Sequence, residues 1–216
     1  MEAWVTPGRV KVPHLKTVWN PTTMTWSIEE TTPNPHDYGT LATTSQAYKN
    51  ITTGTTAIDF LNIKEDIYDV HFLTWNNAVP GTDQKTLSLR VSDDNGSTFE
   101  SGANYDIAFI NGNANGTAFS ENKSVSFTYM YCSTSVGNAT GESANGYAYL
   151  YDLGDPKKYA YQMWHCVDMQ AAPVMQMFMG AQQYGVAATY NAIRLAEASA
   201  TSTWTGNFGL YGLRFT

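Results

Sequence analysis

His165, Cys166 and Asp168 form the tightest cluster of chemically capable side chains in the sequence, and Asp69 with His71 adds a second acid–imidazole pair. A Cys–His pair can generate a thiolate nucleophile, and His, Cys and Asp together can hold zinc. The spacing argues against both uses. Adjacent residues on a strand point to opposite faces, so His165 and Cys166 cannot share a site, and only Asp168 lies on the side of Cys166. Asp69 and His71 share a face. The alternation of Tyr68, Val70 and Phe72 makes it the outward, solvated one. Neither group is expected to be catalytic or to bind a metal.

Ser92-Asp93-Asp94-Asn95-Gly96-Ser97-Thr98-Phe99 fits the S-x-D-x-G-x-T-F pattern of an Asp-box. Physically this is a hairpin device. Asn95-Gly96 tolerates positive φ, the Asp94 carboxylate accepts turn N–H groups, and Phe99 is expected to plug the core beneath. Sialidases and related propellers repeat the device once per blade, and a single copy does not define a propeller. The acidic spacing also lacks the alternating ligands and late Glu of an EF-hand. No nucleophile elbow, phosphate loop, H-E-x-x-H or dinucleotide fingerprint occurs in the sequence. The expected protein is not an enzyme and needs no cofactor.

The elements that carry these residues read as strands. Tyr68, Val70 and Phe72 alternate with Asp69 and His71. Leu87, Leu89 and Val91 alternate with Ser88 and Arg90, and Val125, Phe127, Tyr129 and Tyr131 with Ser124, Ser126 and Thr128. Tyr147, Tyr149 and Tyr151 repeat the pattern, as do Tyr159, Tyr161 and Met163. Each run implies a strand with its apolar side buried. Turn-rich breaks separate them, at Asn76-Asn77, Asn95-Gly96, 111–116 and Gly154-Asp155-Pro156. Many short strands between such turns imply an all-β fold, an antiparallel sandwich over residues 41–216. Asn191-Ala192-Ile193-Arg194-Leu195-Ala196-Glu197-Ala198 consists of strong helix formers, yet a strand is assigned there for reasons that follow.

Residues 1–40 differ in character. Pro7, Pro13, Pro21, Pro33 and Pro35 exclude a helix or a central strand. Trp4, Trp19 and Trp26 are spaced among them, which suggests an extended attachment arm docking its aromatic anchors on the domain or on a neighbour. Met175, Met177 and Met179 lie on one face of a later strand, with Val174 and Phe178 on the other. Such a strand is covered on both sides, by a second sheet or by another subunit. These six Trp and Met residues are the candidate assembly contacts.

Charge narrows the partners. The formal net charge is −7 and charged residues are 14% of the chain, below the roughly 25% of an average domain. Arg9, Arg90, Arg194 and Arg214 are the four arginines, and Lys157-Lys158 is the one adjacent basic pair. Phosphate binding calls for a clustered cationic patch, so nucleic acid is excluded as a partner. No run approaches the roughly 20 apolar residues of a membrane helix, and membrane insertion is not expected. The start lacks a basic region and an apolar segment, so synthesis in a cytoplasm without a signal peptide is expected. Cys132 and Cys166 are too few for a disulfide framework and are expected to be reduced, although they could be neighbours in the fold.

From about residue 40 the chain resembles the jelly-roll modules of tailed-bacteriophage virion proteins. The resemblance rests on Ile58-Asp59-Phe60-Leu61 leading into 68–72, on 87–99 followed by Tyr105-Asp106, on Val136-Gly137-Asn138 before Gly146-Tyr147-Ala148-Tyr149-Leu150, and on the tail. The ending Gly206-Asn207-Phe208-Gly209-Leu210-Tyr211-Gly212-Leu213 is the most telling part. In such proteins the preceding Ala-Ile-Arg-Leu segment is also a strand. The resemblance implies a non-enzymatic structural protein of the virion, a capsid decoration or a tail fibre or knob. It implies homotrimers that contact other capsid or tail components. A lectin-like head recognising host surface glycan is the alternative, and a glycan depolymerase a more distant one.

Overall fold

The computed structural model describes residues 48–171 and 174–213 in full, and the backbone alone at Leu15–Asn20, Thr25–Glu30 and Gly39–Thr40. Backbone contacts divide the chain into two units, Met1–Asp37 with Phe215–Thr216, and Tyr38–Arg214. In the first, β1 (Leu15–Asn20) and β2 (Thr25–Glu30) pair as an antiparallel hairpin with Trp19 directly opposite Trp26. Trp4 lies outside the described residues.

The second unit is all β among its described residues. β5 (Ala57–Leu61), β7 (Leu87–Ser92), β10 (Met130–Tyr131) and β14 (Ala192–Glu197) form a four-stranded sheet in the order β10-β7-β14-β5. The larger sheet contains β6 (Val70–Pro80), β8 (Tyr105–Asn113), β9 (Ser120–Phe127), β11 (Ala144–Tyr151), β12 (Ala160–Met169), β13 (Met175–Tyr184) and β15 (Trp204–Leu213). Its order is β15-β6-β11-β12-β13-β8-β9. β3 (Gly39–Thr40) and β4 (Tyr48–Thr55) share the free side of β15, one pairing Tyr211 and Gly212, the other the stretch from Trp204 to Gly209. Every pairing is antiparallel, and the core lies between the two sheets, as expected of a sandwich.

β14 shows why packing overrides helix propensity. Ile193 and Leu195 are fully buried toward the larger sheet, and the ladder joins them to β5 and β7. Arg194 faces the other way. It holds Asp59, its direct partner in the ladder, through two hydrogen bonds of 2.7 and 2.8 Å, and lies 4.0 Å over the Phe99 ring. This period-two arrangement is satisfied only by a strand. Phe99 therefore lies half-buried under a guanidinium rather than plugging the core. The Asp-box turn otherwise forms as its residues dictate: Asp94 accepts from Ser92 Oγ and the Thr98 N–H, each at 2.8 Å, while Asn95 and Gly96 take φ of 55° and 86°.

Three expectations of facing are reversed. His71 points inward and is buried, its Nε2 donating to the Ile63 carbonyl at 2.9 Å. Tyr147, Tyr149 and Tyr151 point outward, leaving Ala148 and Leu150 in the core. Tyr161 and Met163 also face out, while Gln162, Trp164 and Cys166 face in. The strand expected through 124–131 is two pieces, with β9 in the larger sheet and β10 in the smaller.

Buried glutamines explain much of the reversal. Gln182 Oε1 accepts from the Tyr131 N–H at 2.6 Å, and Gln182 and Gln162 Nε2 donate to its carbonyl at 2.9 and 3.0 Å. Two inward side chains of the larger sheet thus satisfy the backbone of the short strand β10, which pairs only with β7 among the described residues. Gln162 and Gln182 fix the inner faces of β12 and β13, which turns Tyr161, Met163 and Met179 outward.

Candidate functional site

The outer face of the larger sheet is the feature that the sandwich does not use. Its residues follow from the ladder registers. One row runs Tyr211, Phe72, Tyr149, Met163, Ala181, Ala108 and Lys123 from β15 to β9. The next runs Gly209, Thr74, Tyr147, His165, Met179, Ile110 and Glu121. A third brings Val167, Met177 and Gly112 together. Most of this surface is apolar or aromatic and open to solvent.

Met163, Met175 and Met179 are 47, 45 and 36% exposed, while Phe178 on the reverse of β13 is buried. The second sheet therefore covers only one side of the methionine strand. Met175, Met177 and Met179 come together on the outer face, and Met163 and Ile110 join them from adjacent strands, which spacing within one strand does not reveal. Phe72 contacts Tyr147, Tyr149 and Tyr211 at ring-centroid distances of 5.9, 5.0 and 6.3 Å. Tyr147 OH and His165 Nδ1 share a hydrogen bond of 3.1 Å. Charge is confined to the last two strands, at Asp106, Glu121 and Lys123. Asp106 is engaged by Gln183 Nε2 at 2.6 Å.

The outer face of the smaller sheet is its opposite. Arg90 donates to the carbonyls of Thr128 and Ala198, and Arg194 is clamped between Asp59 and Phe99. Loops and paired charges finish that surface. Lys158, from the basic pair, is held by Asp152 at 3.1 Å and Asp155 at 3.7 Å.

The cluster around Cys166 is sealed inside. Cys132 and Cys166 are both free and buried, and burial pushes each thiol up, away from the reactive thiolate. His165 points to the opposite face from Cys166. Asp168 is 2% exposed, its Oδ2 accepting weakly from the Thr134 N–H at 3.4 Å. Burial raises its carboxyl to about 8. Gln176 lies opposite it in the ladder, also buried. Among the described residues no group of three or more His, Cys, Asp or Glu is placed to hold a metal, and no helix is long and apolar enough to cross a membrane.

The raised carboxyl has a thermodynamic consequence. Both folded and unfolded chains hold the Asp168 proton below pH 3.8; between there and about 8 only the unfolded chain releases it. Stability therefore falls as pH rises through that window. Asp168→Asn removes the effect, keeps an acceptor for Thr134 and adds a donor toward Gln176. The variant is expected to gain stability over the parent by up to about 1.4 kcal/mol per pH unit across this range. His71, lowered to about 4 by burial, loses stability as pH falls from 6.5, but equally in both proteins. Urea unfolding at pH 4 and pH 7 checks it, and an equal difference at both values contradicts it.

Compared with protein-family models, curated proteins and solved structures, the chain shows no match to any of them.

Proposed function

We propose that the chain is a non-catalytic structural module of a bacteriophage virion, a jelly-roll-type sandwich that associates with copies of itself and with other particle proteins. The apolar outer face of the larger sheet, uncovered among the described residues, carries this reading. Contiguous exposed apolar surface is uncommon on monomers, and Tyr and Met are enriched where proteins meet. Covering this face removes Met163, Met175, Met179 and Tyr161 from water, with charge only toward its β8–β9 end. Alternation of the chain between sheets, from β4 through β8 and again from β9 to β11, supports the jelly-roll type. The virion context rests on the sequence resemblance over 87–99 and 206–213. Asp168 and Cys166 lie between the sheets, out of reach of a polymeric substrate, which supports a role without catalysis.

Light scattering on the purified protein is expected to give a multiple of the chain mass, and gold-labelled antibody is expected to decorate phage particles. A monomer at all concentrations removes the self-association, and bare particles remove the virion role.

The cluster of Phe72, Tyr147, Tyr149 and Tyr211 favours a second reading, since sugar faces stack on aromatic rings. Tyr147 and Tyr149 meet at 78°, however, which breaks a flat platform. Glycan-array binding that is lost in Tyr147→Ala would support the lectin-like reading; no binding by the oligomer retires it.

A further inference from the structure

β9 ends the larger sheet, and its outer edge pairs with no strand among the described residues. Natural edge strands are usually blunted by charge, proline or a covering loop, because an open edge recruits another chain. β9 pairs regularly with β8 from Ser120 to Ser124 and bulges at Val125 and Ser126; its regular stretch carries one Glu and one Lys, Glu121 and Lys123, both exposed. The two most exposed large apolar residues of the described chain flank them: Phe119 at 67% and Val125 at 80%. Gly112 makes room for the Phe119 ring, since a Cβ there would lie 2.5 Å from its Cε1. Phe119 thereby sits on the same outer face as Glu121, Lys123 and the methionines.

These positions are self-complementary. We propose that β9 pairs antiparallel with β9 of a second copy, with Asn122 on the two-fold axis. In this register Glu121 faces Lys123 of the mate and Ser120 faces its Ser124, each pair formed twice, with Phe119 and Val125 flanking the paired stretch. Sliding the register by two residues in either direction places Glu121 opposite Glu121 or Lys123 opposite Lys123, and directly opposed like charges destabilise a ladder. Sliding by one residue turns the paired faces to opposite sides of the sheet. The sequence of the strand therefore selects one register.

The pairing rests on the proposed self-association but uses a different surface. Its axis is perpendicular to the sheet, so the apolar outer faces of both copies lie on one side and merge into a surface of double width. A two-fold contact builds even-numbered assemblies, in contrast to the trimers that the sequence resemblance implies.

Sedimentation equilibrium on the full chain tests it. Glu121→Lys and Lys123→Glu are each expected to weaken self-association roughly tenfold or more, and the double exchange E121K/K123E to restore it to within about threefold of the parent. Both positions are exposed, and circular dichroism verifies that each variant folds. Directly opposed strand residues lie about 4.5–5.5 Å apart at Cα, within disulfide range. Asn122→Cys is therefore expected to give a covalent dimer on mild oxidation, with the parent, whose thiols are buried, as control. An oligomer that ignores the single exchanges, an unrescued double exchange, or no cross-link at Asn122→Cys overturns the pairing while leaving self-association standing. A monomeric parent overturns both.

Discussion

Trp164→Ala is expected to lower the unfolding free energy by about 3–5 kcal/mol, measured as a shift in the urea midpoint at unchanged slope. Trp164 is fully buried, stacks on Phe178 at 5.9 Å and 14°, and meets Phe109 edge-on at 5.7 Å. It reaches Phe109 across Gly180, which separates them in the ladder. A Cβ on Gly180 would lie 2.3 Å from Phe109 Cβ and 2.5 Å from the Ala108 carbonyl oxygen, so the glycine is what lets the rings meet. Gly146 does the same beneath Trp75, where a Cβ would lie 2.5 Å from the ring. Truncating Trp164 leaves a hole lined by rings that cannot all collapse into it. Trp164→Phe keeps an aromatic contact and deletes an indole N–H that has no hydrogen-bond partner among the described residues. It is expected to cost well under the alanine loss. An alanine loss below about 1 kcal/mol, typical of surface sites, would contradict the place given to this aromatic cluster in the core.

Met163→Glu combined with Met179→Glu is expected to do the reverse: weaken self-association at least a hundredfold, roughly, while leaving the isolated chain within about 0.5 kcal/mol of the parent. Both methionines are exposed in the single chain, so a carboxylate there keeps its water. In a covered face it would be buried without a partner, and an unpaired buried charge costs several kcal/mol. Sedimentation gives the first quantity and urea unfolding the second. Loss of stability without loss of association would assign these side chains to the fold instead.

The sandwich was legible in the sequence because local signals and packing agree over most of it. Turn residues at Asn95-Gly96 and alternation in Leu87, Leu89 and Val91 fix elements that the structure repeats. β14 was legible only through its resemblance to a known strand, since its composition favours helix and only its burial between β5 and β7 decides otherwise. Facing was harder. On β11 and β12 both sides read as apolar, and the deciding information is that Gln162 and Gln182 serve the backbone of Tyr131, a contact between residues far apart in sequence. The same cause hid the candidate surface. Met175, Met177 and Met179 could be seen as a stripe, but their union with Met163, Ile110 and the Tyr147 row exists only through ladder registers. The pairing of Trp19 with Trp26 in a hairpin was likewise invisible to proline counting.

Oxidative footprinting of the methionines, at concentrations above and below assembly, tests most directly whether the outer sheet face is covered. Met130, buried within the chain, is the internal control and should react slowly in both states. Assembly through this face requires Met163 and Met179 to be oxidised readily in dilute solution and to be protected when associated. Equal oxidation of these two residues in both states would contradict it.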